Sequence, residues 1–434
     1  LENNLPRLNG DGCEAVSLQA GLQNAIGKTI KGVNLGQMQP SLSSRKMPKL
    51  NSSALKFILL LGFVSLCADA TYEGARSITG AYLGVLGASG AVVGLVAGLG
   101  ELMGYGLRLF IGYLSDRTRQ YWQITTLGYF INTAVVPLMA LAGRWEVLAG
   151  LMIAERTGKA IRTPPRDVLL SHGAMQVGRG FGFGLHEAMD QVGAVAGPLM
   201  VTAVLAQQGG YRGGFAILVI PAVLGLTVLL TVQRLYPNPR EFEPTIQDLH
   251  GEGLPRRFWI YLIAVALIAA GYADFPLIAF HLQRSGMGEL TQIPLLYALA
   301  MGVDAIAALV FGYWFDRIGV TTLMLAILMS LGFAPLVFWG GVPLATVGMV
   351  LWGIGMGAQE SILKAVVAGM VPPERRGSAY GIFNTGYGVA WFLGSALMGV
   401  LYDRSPVALV VFSVVMQLAA IPMLRVTQTS TRGF

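Results

Sequence analysis

Apolar runs long enough to cross a bilayer recur twelve times along this chain, and water-soluble folds are not built from segments of that kind. They fall at roughly 55–79, 88–111, 123–143, 146–163, 181–206, 213–234, 257–282, 292–315, 320–340, 343–369, 378–402 and 406–424. A helix of about 20 residues spans the hydrocarbon core. Lipid offers backbone N–H and C=O groups no partners, so each run is expected to satisfy its own hydrogen bonds as a helix. The expected fold is therefore all-α and integral to the membrane, with twelve transmembrane helices. Charge supports this: 12% of residues are charged, against about 25% in a soluble domain. Too few ions remain to cover a water-facing surface. The 57 glycines suit helices that pack closely through small side chains.

The polar stretches divide the chain. Residues 1–54 lack apolar periodicity and are expected to form a disordered tail, with Met47 as the expected start of the essential chain. The longest internal polar interruption, 235–256, follows the sixth run and reads as a linker. It separates six helices over 55–234 from six over 257–424, and leaves a second tail at 425–434. Loops after even-numbered runs carry Arg117 and Arg119, Arg166 and Arg179, Arg234, Arg240, Arg256, Arg257, Arg317, Arg375 and Arg376. Loops after odd-numbered runs carry Arg144, Arg212, Arg284 and Arg404. The excess places the even loops, the linker and both termini in the cytoplasm, with the protein in the cytoplasmic (inner) membrane. The net charge of +7 then reflects loop arginines and gives no reason to expect nucleic acid. Cys13 and Cys67 and four scattered histidines give no disulfide or metal spacing.

Two passages recur. Gly112, Asp116 and Arg117 after the second run are matched by Gly312, Asp316 and Arg317 after the eighth. Arg179, Gly180 and Gly184 at the fifth are matched by Arg376, Gly377 and Gly381 at the eleventh. The offsets are 200 and 197 residues, which pairs the two halves helix for helix. A repeat of six helices is the trace of two pseudo-symmetric bundles around a central site.

These residues carry a resemblance. Gly112-x-Leu114-x-Asp116-Arg117 resembles the signature loop between helices two and three of the major facilitator superfamily. It departs at Arg119-Gln120-Tyr121, where the family has Gly and two basic residues. Gly193-Ala-Val-Ala-Gly197-Pro198 is similar to a motif of drug–proton antiporters in that superfamily, with Val201 and Thr202 replacing its closing glycines. The likeness spans 55–424 and implies alternating access without a cofactor, driven by a proton gradient and working as a monomer on a small-molecule substrate. It also implies that Asp116 latches onto the start of the eleventh helix and Asp316 onto the start of the fifth, where the helix macrodipole favours an acid.

Ions inside the spans mark candidate sites, because a charge at mid-bilayer costs about 2.5–3.5 kcal/mol on insertion scales and normally faces a cavity or a partner. His186, Asp190, Gly193 and Gly197 form one helical stripe, with Glu187 and Gln191 beside it. The glycines are explained by close packing alone; the acids are not. Glu155, Lys159, Arg162 and Arg166 form a stripe in the fourth span, with Arg156 alongside, ending where Pro164-Pro165 is expected to stop the helix. Snorkelling to headgroups accounts for Arg166. In the first span, Glu73 and Arg76 are spaced to pair along the helix near its outer end, beside Tyr72. Asp69 lies deeper with no evident local partner, where burial favours the protonated form. Glu101 and Arg108 extend the same network. The second half holds fewer ions: Asp274, His281, Asp304, and Glu360 with Lys364, which are spaced to neutralise each other. Tyr272, Phe275, Trp352, Phe383, Tyr387 and Trp391 are either core or the apolar wall of a cavity.

The reading that gathers these features is a proton-coupled carrier of a small organic molecule, exporting it, with Asp190 ranked first and Asp69 second as proton carrier. Import of an organic anion drawn by Arg156, Lys159 and Arg162 is the alternative. A receptor that has kept the fold without transporting, or a membrane enzyme, are readings of another class. Against an enzyme, the chain shows no nucleophile elbow, zinc spacing or phosphate loop.

Overall fold

The computed structural model describes residues 52–237, 253–286, 289–371 and 376–429, and they form twelve helical stretches in chain order. The first half holds α1 (Ser52–Val85), α2 (Gly90–Thr118), α3 (Tyr121–Leu138, continued by a tight turn over Met139–Leu141), α4 (Trp145–Val177) and α5 (Arg179–Ala206). Its sixth stretch is broken into α6a (Gly210–Ile217) and α6b (Val219–Leu235). The second half opens with α7a (Arg256–Gly271) and α7b (Phe275–Arg284), then α8 (Gln292–Ile318). It continues with α9a (Thr321–Ser330), α9b (Phe333–Trp339), α10 (Val342–Met370), α11 (Arg376–Arg404) and α12 (Pro406–Thr429). Ten of the twelve are long and apolar enough to cross a membrane. The other two are α4, which carries the basic stripe, and α11, which is rich in Gly, Ser and Tyr. The expected tail lies almost wholly outside the described residues, as does most of the expected linker.

The α4 helix does not stop at Pro164-Pro165 as expected; it runs on to Val177. Two prolines remove two backbone donors, but such breaks are tolerated in a bundle where neighbours and hydroxyls take up the freed groups. Beyond the prolines Leu169, Leu170, Ala174 and Val177 are buried, so tertiary packing carries the helix onward.

Between α7a and α7b the backbone unwinds, with Tyr272 and Asp274 extended and Pro276 in the first turn of α7b. Unwound backbone at membrane depth must find partners in the protein. The Gly271 carbonyl accepts from Ser413 Oγ at 2.6 Å, and the Ala273 carbonyl from Trp352 Nε1 at 2.9 Å. The break leaves Asp274, 2% exposed, facing α1.

The two halves meet closely at one end. A Cβ on Gly94 of α2 would collide with the Ser395 carbonyl of α11, and one on Gly399 of α11 with the Gly90 carbonyl of α2. A Cβ on Gly80 of α1 would strike the Pro276 carbonyl of α7b. At the opposite end of these helices, a Cβ on Gly112 would meet only Pro164 of its own half, at 3.9 Å, and one on Gly312 would meet nothing within 4 Å. The bundle is thus sealed at the Gly90 end. Within the first half, α1 and α5 touch backbone to backbone: Gly193 lies against the Leu66 carbonyl and Gly197 against the Ala70 carbonyl.

Candidate functional site

The basic stripe of α4 is turned inward among α1, α2, α3 and α5. Gly128 of α3 fits against the Arg162 backbone and Gly158 of α4 against that of Asn132, so the two helices approach too closely for a side chain between them. Arg162 is 1% exposed; its Nη2 lies 3.1 Å from Asp69 Oδ1 and its guanidinium 4.5 Å from the centre of the Tyr129 ring. Asp69, read from sequence as lacking a partner, is therefore paired, because the partner comes from another helix. Tyr72 donates to Asp69 Oδ2 at 3.2 Å and accepts from Lys159 Nζ at 2.5 Å. Arg156 reaches Glu101 at 3.4 Å and Glu155 at 3.5 Å, while Asn132 Nδ2 donates to Glu155 Oε1 at 2.7 Å.

Arg76 extends this network into the second half. Its Nη2 lies 2.6 Å from Asp274 Oδ1 and 3.2 Å from Glu101 Oε1, whereas the pairing expected with Glu73 is 4.0 Å long. Cross-helix partners win because they approach closer in a dry interior, where Coulomb attraction is strongest at short range. Glu73 instead accepts from Tyr297 of α8 at 2.5 Å. Glu73 is buried and the Arg76 side chain is 12% exposed, so they are no terminal surface pair. Two ties thus join α1 to α7b and α8.

Within this network Asp190 is the least compensated acid. Its Oδ2 is 3.7 Å from Arg166 and 3.4 Å from His186 Nδ1, and its buried Oδ1 has no partner. Arg166 is held more closely by Asp167 at 2.8 Å and by Ser65 at 3.1 Å. It points inward and is not snorkelling. The network gathers six acids (Asp69, Glu73, Glu101, Glu155, Asp190, Asp274) around five bases (Arg76, Arg156, Lys159, Arg162, Arg166), one of them shared with Asp167.

Glu187, Glu360 and Lys364 are exposed although they lie well inside their helices. Glu360 of α10 feels the charges of Glu187 on α5 and Lys159 on α4, and Lys364 that of Arg108 on α2. These exposed charges, drawn from both halves, mark a vestibule away from the sealed end. Arg108 stacks 4.8 Å from the Tyr105 ring centre, and Tyr105 meets Tyr387 at 5.1 Å across the halves. Glu360 and Lys364 form no ion pair within 4.0 Å, contrary to the expectation that they neutralise each other; each faces water instead. Tyr272, Phe275, Trp352, Phe383, Tyr387 and Trp391 are all buried and stack on one another with Tyr297, so they act as core. No three acids, cysteines or histidines converge as metal ligands among the described residues.

The repeated loops lie at the vestibule end. Asp116 is exposed and accepts from Tyr121 OH at 3.2 Å, and Arg117 donates to Tyr113 OH at 3.3 Å. Asp316 is exposed, and Arg317 stacks 3.4 Å from the Tyr313 ring centre. The side chains expected to receive both acids, in the first turns of α11 and α5, lie outside the described residues. The chemistry expected of them occurs at the sealed end: Asp403 of α11 accepts from Gly90 N at 2.9 Å and Ala91 N at 2.7 Å, the first turn of α2. Arg284 joins it at 3.6 Å. A Cβ on Gly90 would lie 2.8 Å from the Asp403 carboxylate, so glycine is needed there.

The sequence model of the Major Facilitator Superfamily matches residues 58–395 and, in a second match, 290–432. The chain belongs to the major facilitator superfamily. An uncharacterized protein of Mycobacterium tuberculosis (strain H37Rv) is 43% identical over 379 residues, covering 86% of this chain and 93% of its own. An uncharacterized MFS-type transporter of Methanocaldococcus jannaschii is 27% identical over 363 residues, covering 81% and 89%. Among solved structures, the nucleoside transporter NupG superposes with a TM-score of 0.69 at 16% identity, covering 85% of this chain and 99% of that one. That likeness speaks to the fold alone. The chain is thus a multi-pass membrane protein of a transporter superfamily, and the twelve-helix all-α architecture expected from the sequence is the one the superfamily shares.

Proposed function

We propose that this chain is a proton-coupled secondary transporter that moves a small organic solute out of the cell by alternating access. The observation that carries the reading is Asp190: buried, reached only by long contacts to Arg166 and His186, with one carboxylate oxygen unpartnered. An ion that poorly paired inside a membrane is costly, and one proton would neutralise Asp190 where Arg166 is held more closely by Asp167. Asp190 takes that proton when the solvent beside Glu187 reaches it, and releases it to water when the bundle rearranges and Arg166 and Arg162, already cations, close on the bared carboxylate. Arginine excess in the even-numbered loops supports a vestibule facing the cytoplasm, with both termini on that side and the Gly90 end outward. Export is favoured by the likeness of Gly193–Pro198 to antiporter sequences.

The test is transport in proteoliposomes with an imposed pH gradient, using ethidium as a fluorescent organic cation. Asp190→Asn should abolish gradient-driven accumulation while leaving exchange at equal pH, because exchange moves no net proton. Full gradient-driven transport in Asp190→Asn, and again in Asp69→Asn and Glu187→Gln, would refute coupling through these acids.

A second reading rests on Lys159. Among the described residues its ammonium bonds only to the Tyr72 hydroxyl and has no carboxylate within 4.0 Å, leaving a cation to meet an organic anion. Saturable uptake of a labelled organic anion that fails in Lys159→Gln, with no ethidium transport, would favour import of an anion.

A further inference from the structure

The second half contains an acid that neither the ion network nor the vestibule uses. Asp304 lies midway along α8, is 2% exposed, and its Oδ1 is fully buried without a hydrogen-bond partner. Among the described residues no cation lies within 4.0 Å of it. The charged groups that act on it are Glu360 of α10, Glu187 of α5 and Glu73 of α1, and all three are acids. The Tyr272 hydroxyl, also near, donates instead to the Trp352 carbonyl.

The seam on the Oδ1 side of Asp304 is tightly packed. A Cβ on Gly357 of α10 would collide with the Asp304 carbonyl and lie 2.8 Å from its Oδ1; one on Gly353 would collide with the Ala300 carbonyl. The α8 and α10 backbones therefore touch at the acid, and little room is left for water. An ionised carboxylate there would have its buried Oδ1 without a donor among the described residues and three acids acting on it, a costly burial of charge. A neutral carboxyl is compatible with every contact observed.

We propose that Asp304 is a proton-binding site of the second half, occupied in this conformation and emptied when α8 and α10 part and water enters the seam. The step is a transfer of one proton between the carboxyl and that water, with no other bond changed. A metal cation does not fit the same place, since hard cations gather several oxygens around them and Asp304 stands without any paired oxygen. Because α8 also packs on α5 across the halves, the charge state of Asp304 is linked to the seam that alternating access must move. This use of the site rests on the transporter reading above; its occupancy does not.

The experiment is infrared spectroscopy of the purified full chain in lipid nanodiscs at neutral pH, following the C=O stretch of protonated carboxyls. The wild type should show a band that disappears in Asp304→Asn, shifts in Asp304→Glu, survives in Asp190→Asn and persists when sodium chloride is added. An unchanged band in Asp304→Asn or an unshifted one in Asp304→Glu would overturn the proposal, as would loss of the band on adding sodium. Because the readout needs no substrate, failure of transport in Asp190→Asn and failure of this assignment are separate results.

Discussion

At the residue scale, the cost of burying charge made the ions legible and left their partners hidden. Asp69, Glu101, Glu155, Arg156, Lys159, Arg162 and Asp190 stand out in sequence because a span has no ordinary use for them. Tyr129, Asn132 and Tyr297, which hold Arg162, Glu155 and Glu73, look like any polar or aromatic residue of a helix. Their role depends on which helices become neighbours, and spacing along one helix carries no such information. Asp403 was missed for the same reason. The expected latch chemistry, an acid on a helix N-terminus, was attached to the repeated Asp116 and Asp316, yet the described example lies at the other end of the bundle. Its two charge-assisted bonds to the start of α2 are each worth about 1.5–3 kcal/mol. Asp403→Asn should therefore weaken the seal and shift the conformational balance about tenfold or more toward opening at the Gly90 end. A cysteine at Thr79, beside the buried ion network, reports this by its labelling rate from that side. A rate equal to that of the otherwise unaltered chain would reduce Asp403 to a surface ion pair with Arg284.

At the element scale, apolar length predicted where helices lie, and packing decided where they end and bend. The α4 helix outran its prolines because its last turns are buried. The break between α7a and α7b was invisible, since its freed carbonyls are satisfied by Trp352 and Ser413 from helices remote in sequence. Glycine content was readable as close packing in general, but only the structure shows which glycines face the other half. Gly94 and Gly399 are such a pair, each set against the backbone of the opposite helix. Gly94→Val should force α2 away from α11 and cost the sealed state about 1–3 kcal/mol, as overpacking does. The state open at the Gly90 end then becomes the major one. Gly106→Ala is the matched control, because a Cβ there meets nothing within 4 Å. Distances between spin labels at the Gly90 end of α2 and the Arg404 end of α11 distinguish the cases. Equal distributions for Gly94→Val and wild type would mean that the α2–α11 crossing does not govern closure.

At the scale of the whole molecule, two polar ties run from one turn of α1 into the second half, and they share a helix face. Arg76 is bound to Asp274 at 2.6 Å, and Glu73, 4.0 Å from Arg76, to Tyr297 at 2.5 Å. Both must break if the halves are to part at the Gly90 end, so each opposes opening. Asp274→Asn leaves Arg76 free to swing from α7b toward Glu73, which then has a cation of its own and depends less on Tyr297. Tyr297→Phe likewise leaves Glu73 to Arg76. The first removal thus prepares a substitute for the second, and the effects of Asp274→Asn and Tyr297→Phe on the open population should be sub-additive. Contacts that belong to one network show coupling of about 0.5–3 kcal/mol, whereas independent sites add within about 0.3–0.5 kcal/mol. A double-mutant cycle, read from Thr79→Cys labelling in the wild-type, single and double backgrounds, measures the difference. Coupling of that size would establish one shared gate on α1. Strict additivity would show two separate ties, and a proton or solute acting on the ion network would then reach the second half through only one of them.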